Sequence, residues 1–271
     1  MRILITGGSG FIGTYLINKL SNDGHEIYNI DKIPSPALPD HRQKIVDILD
    51  IDIKDNIFAG IDCIIHLAAM VSVQKSFNDP VNSFGNNTFL TIKILSAAKL
   101  HNIKKFIFSS SAAVYGNKEG MMSETDITEP NSPYGLDKLS SEKYIQMYCQ
   151  LWDIDYLILR LFNVYGQGQN LEYAGVITAF NLAAQRKEPL IIYGDGEQTR
   201  DFINVNDVCN YMSTLLTANI KNEIFNVGTG QSISINSLAK QFNSPIIYKE
   251  PRKEVRNSCA AINKLIKFLN T

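Results

Sequence analysis

The chain has 271 residues, 45% of them hydrophobic, and a formal net charge of −1 at pH 7. That length can build one large domain or a domain with a smaller lobe, and the near-neutral charge carries neither the basic excess of a nucleic-acid binder nor an acidic tail. The apolar runs are strand-sized, short of the roughly 20 residues that cross a bilayer, and the first is too short for the core of a signal peptide. Cys63, Cys149, Cys209 and Cys259 are scattered, as are His25, His41, His66 and His101. The expectation is a reduced, cytoplasmic protein with no metal site.

The first strand, Arg2–Thr6, runs into Gly-Gly-Ser-Gly-Phe-Ile-Gly13 and then into an amphipathic pattern through Leu20. A strand that ends in glycines and feeds a helix N-terminus aims unpaired N–H groups at one point, where the helix dipole favours a phosphate. Gly7, Gly10 and Gly13 have the spacing for a tight turn, a close backbone approach to a pyrophosphate and close helix-to-strand packing. Gly8 permits a GxGxxG reading as well. The second strand, Glu26–Ile30, leads to Asp31, eighteen residues after Gly13. A carboxylate there accepts hydrogen bonds from a ribose 2′-OH and repels a 2′-phosphate. Together these signals predict a bound dinucleotide, NAD rather than NADP.

Strand patterns follow at Lys44–Val46, Cys63–Leu67, Lys105–Ser109 and Tyr156–Leu161, with long helical patterns at Val81–His101 and Tyr134–Trp152. This alternation predicts an α/β fold, a doubly wound parallel sheet with its ligand at the carboxyl ends of the strands. Asp47, Ile48, Leu67, Ala68, Ala69, Ser109 and Asn163 all fall at or just after the end of a strand. Beyond Gly166 come a helix (Ala174–Lys187) and short strands at Leu190–Tyr193 and Phe202–Val205. The expected organisation is a dinucleotide-binding domain over 1–166 and a smaller substrate-binding lobe over 167–271, interleaved with it.

Ser132-Pro-Tyr134-Gly-Leu-Asp-Lys138 places a Tyr and a Lys at i and i+4, on one face of a helix. A phenol with a pKa near 10 is a poor base at neutral pH. A neighbouring ammonium and the positive charge of an oxidised nicotinamide would favour its phenolate. Ser109-Ser-Ser-Ala-Ala-Val-Tyr-Gly116 follows a strand, where a hydroxyl can orient the oxygen that Tyr134 deprotonates.

These residues resemble the extended short-chain dehydrogenase/reductase family, in its NAD-dependent sugar-nucleotide epimerase/dehydratase branch. The resemblance runs from Met1 to near Asn263. Its markers are Thr6–Gly13, His66-Leu-Ala-Ala69, Asn87 with Thr91, Ser109–Gly116, Tyr134 with Lys138, Leu159-Arg-Leu-Phe-Asn-Val-Tyr-Gly166 and Thr199-Arg-Asp-Phe-Ile-Asn-Val205. The resemblance implies a Rossmann fold in which Tyr134 is the catalytic base and acid, Lys138 its partner and ribose anchor, and Ser111 the hydroxyl that holds the sugar 4-oxygen. Phe11 and Ile12 join the glycine turn at the cofactor, Asp31 holds the adenosine ribose, and Asp47 and Ile48 the adenine edge. Leu67, Ala68, Ala69, Asn87 and Ser109 wall the cofactor channel. Asn163, Val176, Arg200 and Arg252 bind the substrate; two guanidinium groups suit a diphosphate. Ser258 replaces a bulky Tyr gate, which would leave room for an N-acetyl group.

Similar dehydratases carry Asp-Glu after the catalytic hydroxyl residue, where this chain has Ala112 and Ala113, so the second proton-transfer group of an elimination is missing at that place. The expected reaction is therefore 4-epimerisation of a UDP-hexose or UDP-N-acetylhexosamine with tightly held NAD. A 4-keto-sugar reductase using NAD(P)H, encouraged by Lys32 beside Asp31, is the alternative. The resemblance also implies a homodimer through the two long helices, and a place in polysaccharide synthesis.

Overall fold

In the computed structural model, which describes residues 1–118, 120–169, 175–251 and 255–269, strands and helices alternate through most of the chain. In chain order they are β1 (Arg2–Thr6), α1 (Phe11–Asn22), β2 (Glu26–Asp31), β3 (Gln43–Ile45), β4 (Cys63–His66), α2 (Val73–Asn78), α3 (Pro80–Phe84), α4 (Leu90–Leu100), β5 (Lys105–Ser111), α5 (Pro133–Trp152), β6 (Asp155–Leu161) and β7 (Asn163–Tyr165). Then follow α6 (Val176–Gln185), β8 (Leu190–Tyr193), β9 (Thr199–Asn204), α7 (Val205–Thr217), β10 (Glu223–Val227), β11 (Ser232–Ser234), α8 (Ile235–Ala239), β12 (Ile246–Lys249) and α9 (Asn263–Leu269).

Seven strands form one sheet in the order β10-β6-β5-β4-β1-β2-β3, and every pairing in it is parallel. Alternate residues of each strand feed opposite faces. Ile3, Ile5, Ile65, Ile107 and Leu159 pack with α1 and α7 through Leu16, Leu20, Val208 and Met212. Leu4, Ile64, Phe106, Phe108 and Ile158 pack with α4 and α5 through Leu90, Ile94, Ile145 and Cys149. A parallel sheet needs such cover on both faces, because its strands are apolar on both. The strand order reverses between β1 and β4, which opens a crevice at their carboxyl ends. The remaining strands form a three-stranded sheet (β11-β9-β7) and a two-stranded one (β12-β8). A separate apolar cluster of Phe180, Leu190, Ile192, Ile235 and Leu238 ties α6, β8 and α8 together.

Some boundaries differ from the sequence expectation. The sheet has a seventh strand, β10, contributed from beyond Gly166. β5 runs on to Ser111, so the whole serine run pairs with β6. β9 begins at Thr199 and stops at Asn204, whose side chain caps α7 by accepting from the Asn206 N–H. The pattern Val81–His101 is divided into α3, a π-helical turn over Gly85–Phe89, and α4. The helix expected from Ala174 is described from Val176; Ala174 lies outside the described residues. Among the described residues, no helix is long and apolar enough to cross a membrane.

Candidate active site

The crevice above β1 and β4 deepens into a cleft of about 1420 Å³ that reaches from the glycine turn to α6 and β9. Gly7 stands at φ +74°, and a Cβ on it would come within 2.8 Å of the Ala68 backbone nitrogen. A Cβ on Gly13 would overlap the Gly7 carbonyl and the Gly8 backbone, so α1 packs on the turn only because both sites lack side chains. Gly10 caps α1 without a side-chain hydrogen bond, and no acidic residue occupies the first turn. The open N–H groups therefore face the cleft beside Phe11, Ile12 and Gly13. Asp31, at the end of β2, lines the same region; its Oδ2 accepts the Ser9 N–H at 3.0 Å. This uncapped helix end, an approach a Cβ would block, and a carboxylate beside it fit a dinucleotide diphosphate and ribose.

Leu67, Ala68 and Ala69 continue the wall after β4, Ile48 closes another side, and Ser109 and Ser111 line the floor at the end of β5. α5 starts beside them. Ser132 caps it by accepting the Gly135 N–H at 3.1 Å, Pro133 fills the first turn, and the Tyr134 N–H donates to Ser76 Oγ at 3.1 Å. Tyr134 and Lys138 are thereby held in the first turns, both buried and both at the cleft. The Ser111 hydroxyl, which accepts the Ala113 N–H at 3.2 Å, shares the cleft with the Tyr134 phenol. Lys138 Nζ donates to the Ser109 carbonyl at 2.8 Å and lies 4.7 Å from the centre of the Phe108 ring and 5.9 Å from that of Tyr134.

Burial pushes the Tyr134 phenol up to about 12, while the Ser111 hydroxyl pulls it down. Burial also pulls Lys138 down to about 8, against the opposing charges of Glu142 and Asp137. In the protein alone, then, desolvation dominates the ionisation of both groups. Asn163, Val176 and Arg200 line the far end of the cleft. Asn163 Nδ2 donates to the Asp201 carbonyl at 3.2 Å, and Arg200 Nη1 to the Thr199 carbonyl at 2.8 Å.

Three expected lining residues lie elsewhere. Asp47 turns to the Lys32 ammonium (2.8 Å) and the Leu49 N–H (3.0 Å), and its neighbour Ile48 reaches the cleft. Asn87, buried in the π-helical turn, grips the Met70 N–H and carbonyl (3.2 Å each), so it holds the wall loop from behind; Asn86 is the cleft residue. Ser258 is held beside β9, its N–H donating to the Thr199 carbonyl at 3.1 Å, and does not reach the cleft. Arg252 lies outside the described residues.

Sequence reasoning missed three polar residues that hold this site. Asn29 accepts the Gly8 N–H at 3.0 Å and donates to Ser9 Oγ at 3.0 Å, fastening the glycine turn from β2. Glu142 and Arg160 form a buried ion pair behind the serine run. Their signal was a polar residue inside an apolar strand (Ile27-Tyr-Asn-Ile30, Leu159-Arg-Leu161) and an acid one helical turn past Lys138.

The family model of NAD dependent epimerases/dehydratases matches residues 3–228. A Methanocaldococcus jannaschii protein provisionally named UDP-glucose 4-epimerase is 38% identical over 93% of this chain and 86% of its own length. The UDP-glucose 4-epimerase of Thermotoga maritima, solved with UDP-glucose, superposes with a TM-score of 0.92 at 33% identity, covering 98% of this chain and 92% of that one. The UDP-N-acetylglucosamine 4-epimerase of Methanobrevibacter ruminantium, solved with UDP-N-acetylmuramic acid, gives 0.91 at 35% identity, with 98% and 91% covered. With the glycine turn, the uncapped helix and the Ser-Tyr-Lys cluster all on one cleft, the chain belongs to the NAD dependent epimerase/dehydratase family.

Proposed function

We propose that this chain is an NAD-dependent 4-epimerase of a nucleotide-diphosphate sugar, a UDP-hexose or UDP-N-acetylhexosamine. The observation that carries the reading is Ser111, Tyr134 and Lys138 converging in the cleft, with Ala112 and Ala113 standing where an elimination would want acids. Gly7, Gly10, Gly13 and Asp31 hold the diphosphate and adenosine ribose, and Lys138 the nicotinamide ribose. Bound NAD would supply hydride-transfer chemistry at C4 and, in its oxidised form, positive charge in the cleft. Tyr134 Oη takes the 4-hydroxyl proton and later returns it, Ser111 orients the 4-oxygen, and the Lys138 charge favours the phenolate. Asn163, Val176 and Arg200 hold the nucleotide-diphosphate end, and the segment with its own apolar cluster around Phe180 closes over the sugar.

The same reading places the protein in the cytoplasm, in polysaccharide synthesis, as a homodimer. Leu136, Tyr144, Met147 and Leu151 recur on the side of α5 opposite Tyr134 and Lys138, and Val81 and Phe84 lie exposed on α3. Exposed apolar residues recurring in this way suit a second copy of the chain.

The test is NMR of UDP-glucose and UDP-N-acetylglucosamine incubated with the purified protein, without and then with added NAD. Inversion at C4 is the expected result. Absence of inversion, with consumption of NAD(P)H by a 4-keto-6-deoxy sugar nucleotide, would replace this reading with the reductase.

A further inference from the structure

Glu142 lies one turn beyond Lys138 and two beyond Tyr134 on α5, fully buried. Arg160 on β6 grips it with two donors, Nε to Oε1 at 3.0 Å and Nη2 to Oε2 at 2.7 Å. Oε1 also accepts the Ser110 hydroxyl proton at 2.5 Å. Ser110 sits between Ser109, whose carbonyl takes the Lys138 ammonium, and Ser111, which shares the cleft with Tyr134. On its other side Arg160 Nη1 donates to Tyr115 Oη at 2.9 Å, and that phenol donates to Asn226 Oδ1 on β10 at 2.6 Å. One hydrogen-bonded chain thus runs from the sheet edge to the strand end that carries the reactive hydroxyl.

Stability alone does not account for such a pair. Taking two charges out of water is costly, and apolar residues of similar volume serve a core as well or better. What the pair has and they lack is direction and charge. Facing Lys138 are Glu142 and Asp137 from its own helix, Tyr134, neutral His66 from β4, and the Ser109 carbonyl and Phe108 ring from β5. Of the two acids, Glu142 acts on it more strongly, and the Asp137 carboxyl, which accepts the Ser83 hydroxyl proton, is itself pushed up by burial.

We propose that Glu142, clamped by Arg160, is a positioning residue of this site: through Ser110 it fixes the Ser109–Ser111 strand end, and it supplies the negative charge that faces the Lys138 ammonium. The proposal rests on the roles given above to Ser111, Tyr134 and Lys138.

The first readout needs no substrate. In 13C-lysine-labelled protein, the Lys138 Cε resonance, assigned by its absence from K138M, is titrated in wild type, E142Q and S110A. E142Q should lower its midpoint by about one pH unit, and S110A should leave it in place. The second readout is turnover. S110A should lose about tenfold in kcat with KM within about twofold, because the hydroxyl it removes is bonded to Glu142 and its loss releases the strand end. E142L/R160M covers the case in which E142Q does not fold: an apolar pair should keep the melting temperature near wild type while kcat falls about tenfold or more. An unchanged Lys138 midpoint in E142Q, or wild-type kcat in S110A or in a stable E142L/R160M, would overturn the proposal. An inactive wild type with a shifted Lys138 midpoint in E142Q would overturn the epimerase reading and leave the electrostatic half of this one standing.

Discussion

The Lys138 ammonium on α5 donates to the Ser109 carbonyl at the end of β5, at 2.8 Å. This bond ties the helix that carries Tyr134 to the strand that carries Ser111, so phenol, ammonium and hydroxyl keep one geometry. It also takes a charged group out of water, which makes the protonation of Lys138 a sensitive point of the site.

Tyr134→Phe should keep the fold and the cofactor, since it removes one hydroxyl from a buried ring, yet lower kcat by about 10²–10⁴, the range for a positioned acid–base group. Cofactor titration by fluorescence and steady-state kinetics on the same preparation check this. Near-normal turnover would remove Tyr134 from the chemistry.

Lys138 is drawn down to about 8 by burial. Its charge is present below that pH and lost above it, so kcat/KM should fall as pH rises through about 8. In Lys138→Arg, whose guanidinium stays charged, the turnover that survives should lack this alkaline limb. A limb persisting in that variant would assign it to another group.

Gly13→Ala should weaken NAD binding by about tenfold or more, because its Cβ overlaps backbone that cannot give way without moving the phosphate turn. Calorimetric titration with NAD reads this directly. Wild-type affinity would mean that the turn rearranges freely.

Arg200→Ala should raise KM for the nucleotide sugar by about tenfold with kcat within about twofold, the pattern of a lost charge-assisted contact equal in ground and transition states. A fall in kcat at constant KM would place Arg200 nearer the reacting carbon.

His66 is buried, its Nδ1 is hydrogen-bonded with Thr6 Oγ1 at 2.6 Å, and burial pulls it from 6.5 to about 3. As pH falls through 6.5 the unfolded chain binds a proton that the folded chain refuses, so stability contributed by neutral His66 is full above 6.5 and drains away toward about 3. Urea midpoints should therefore decline with falling pH, with a His66 contribution of at most about 1.4 kcal/mol per pH unit. In His66→Gln the decline between about pH 6.5 and 5 should be shallower. Parallel slopes would show that His66 is not the titrating group.

By itself the sequence determined the elements whose signals are local. The glycine spacing, the acid at the end of β2, the Tyr-Lys pair at one helical turn and the period-2 strands are each set within a few residues by backbone geometry, so their places were legible without a fold. The long helix ending at His101 was legible as helical, but its π-helical turn was not, and within that turn Asn86 meets the cleft while Asn87 holds Met70. Only the tertiary structure could decide what depends on distant segments meeting. β10 joins the sheet from far along the chain, Ser258 is held against β9 instead of the cleft, and Ser110, Glu142 and Arg160 come together from two strands and a helix. The charge state of the site belongs to the same class. The ordinary ionisation of Tyr134, Lys138 and His66 is a property of the residue, but the desolvation that moves all three is a property of the packed core around them.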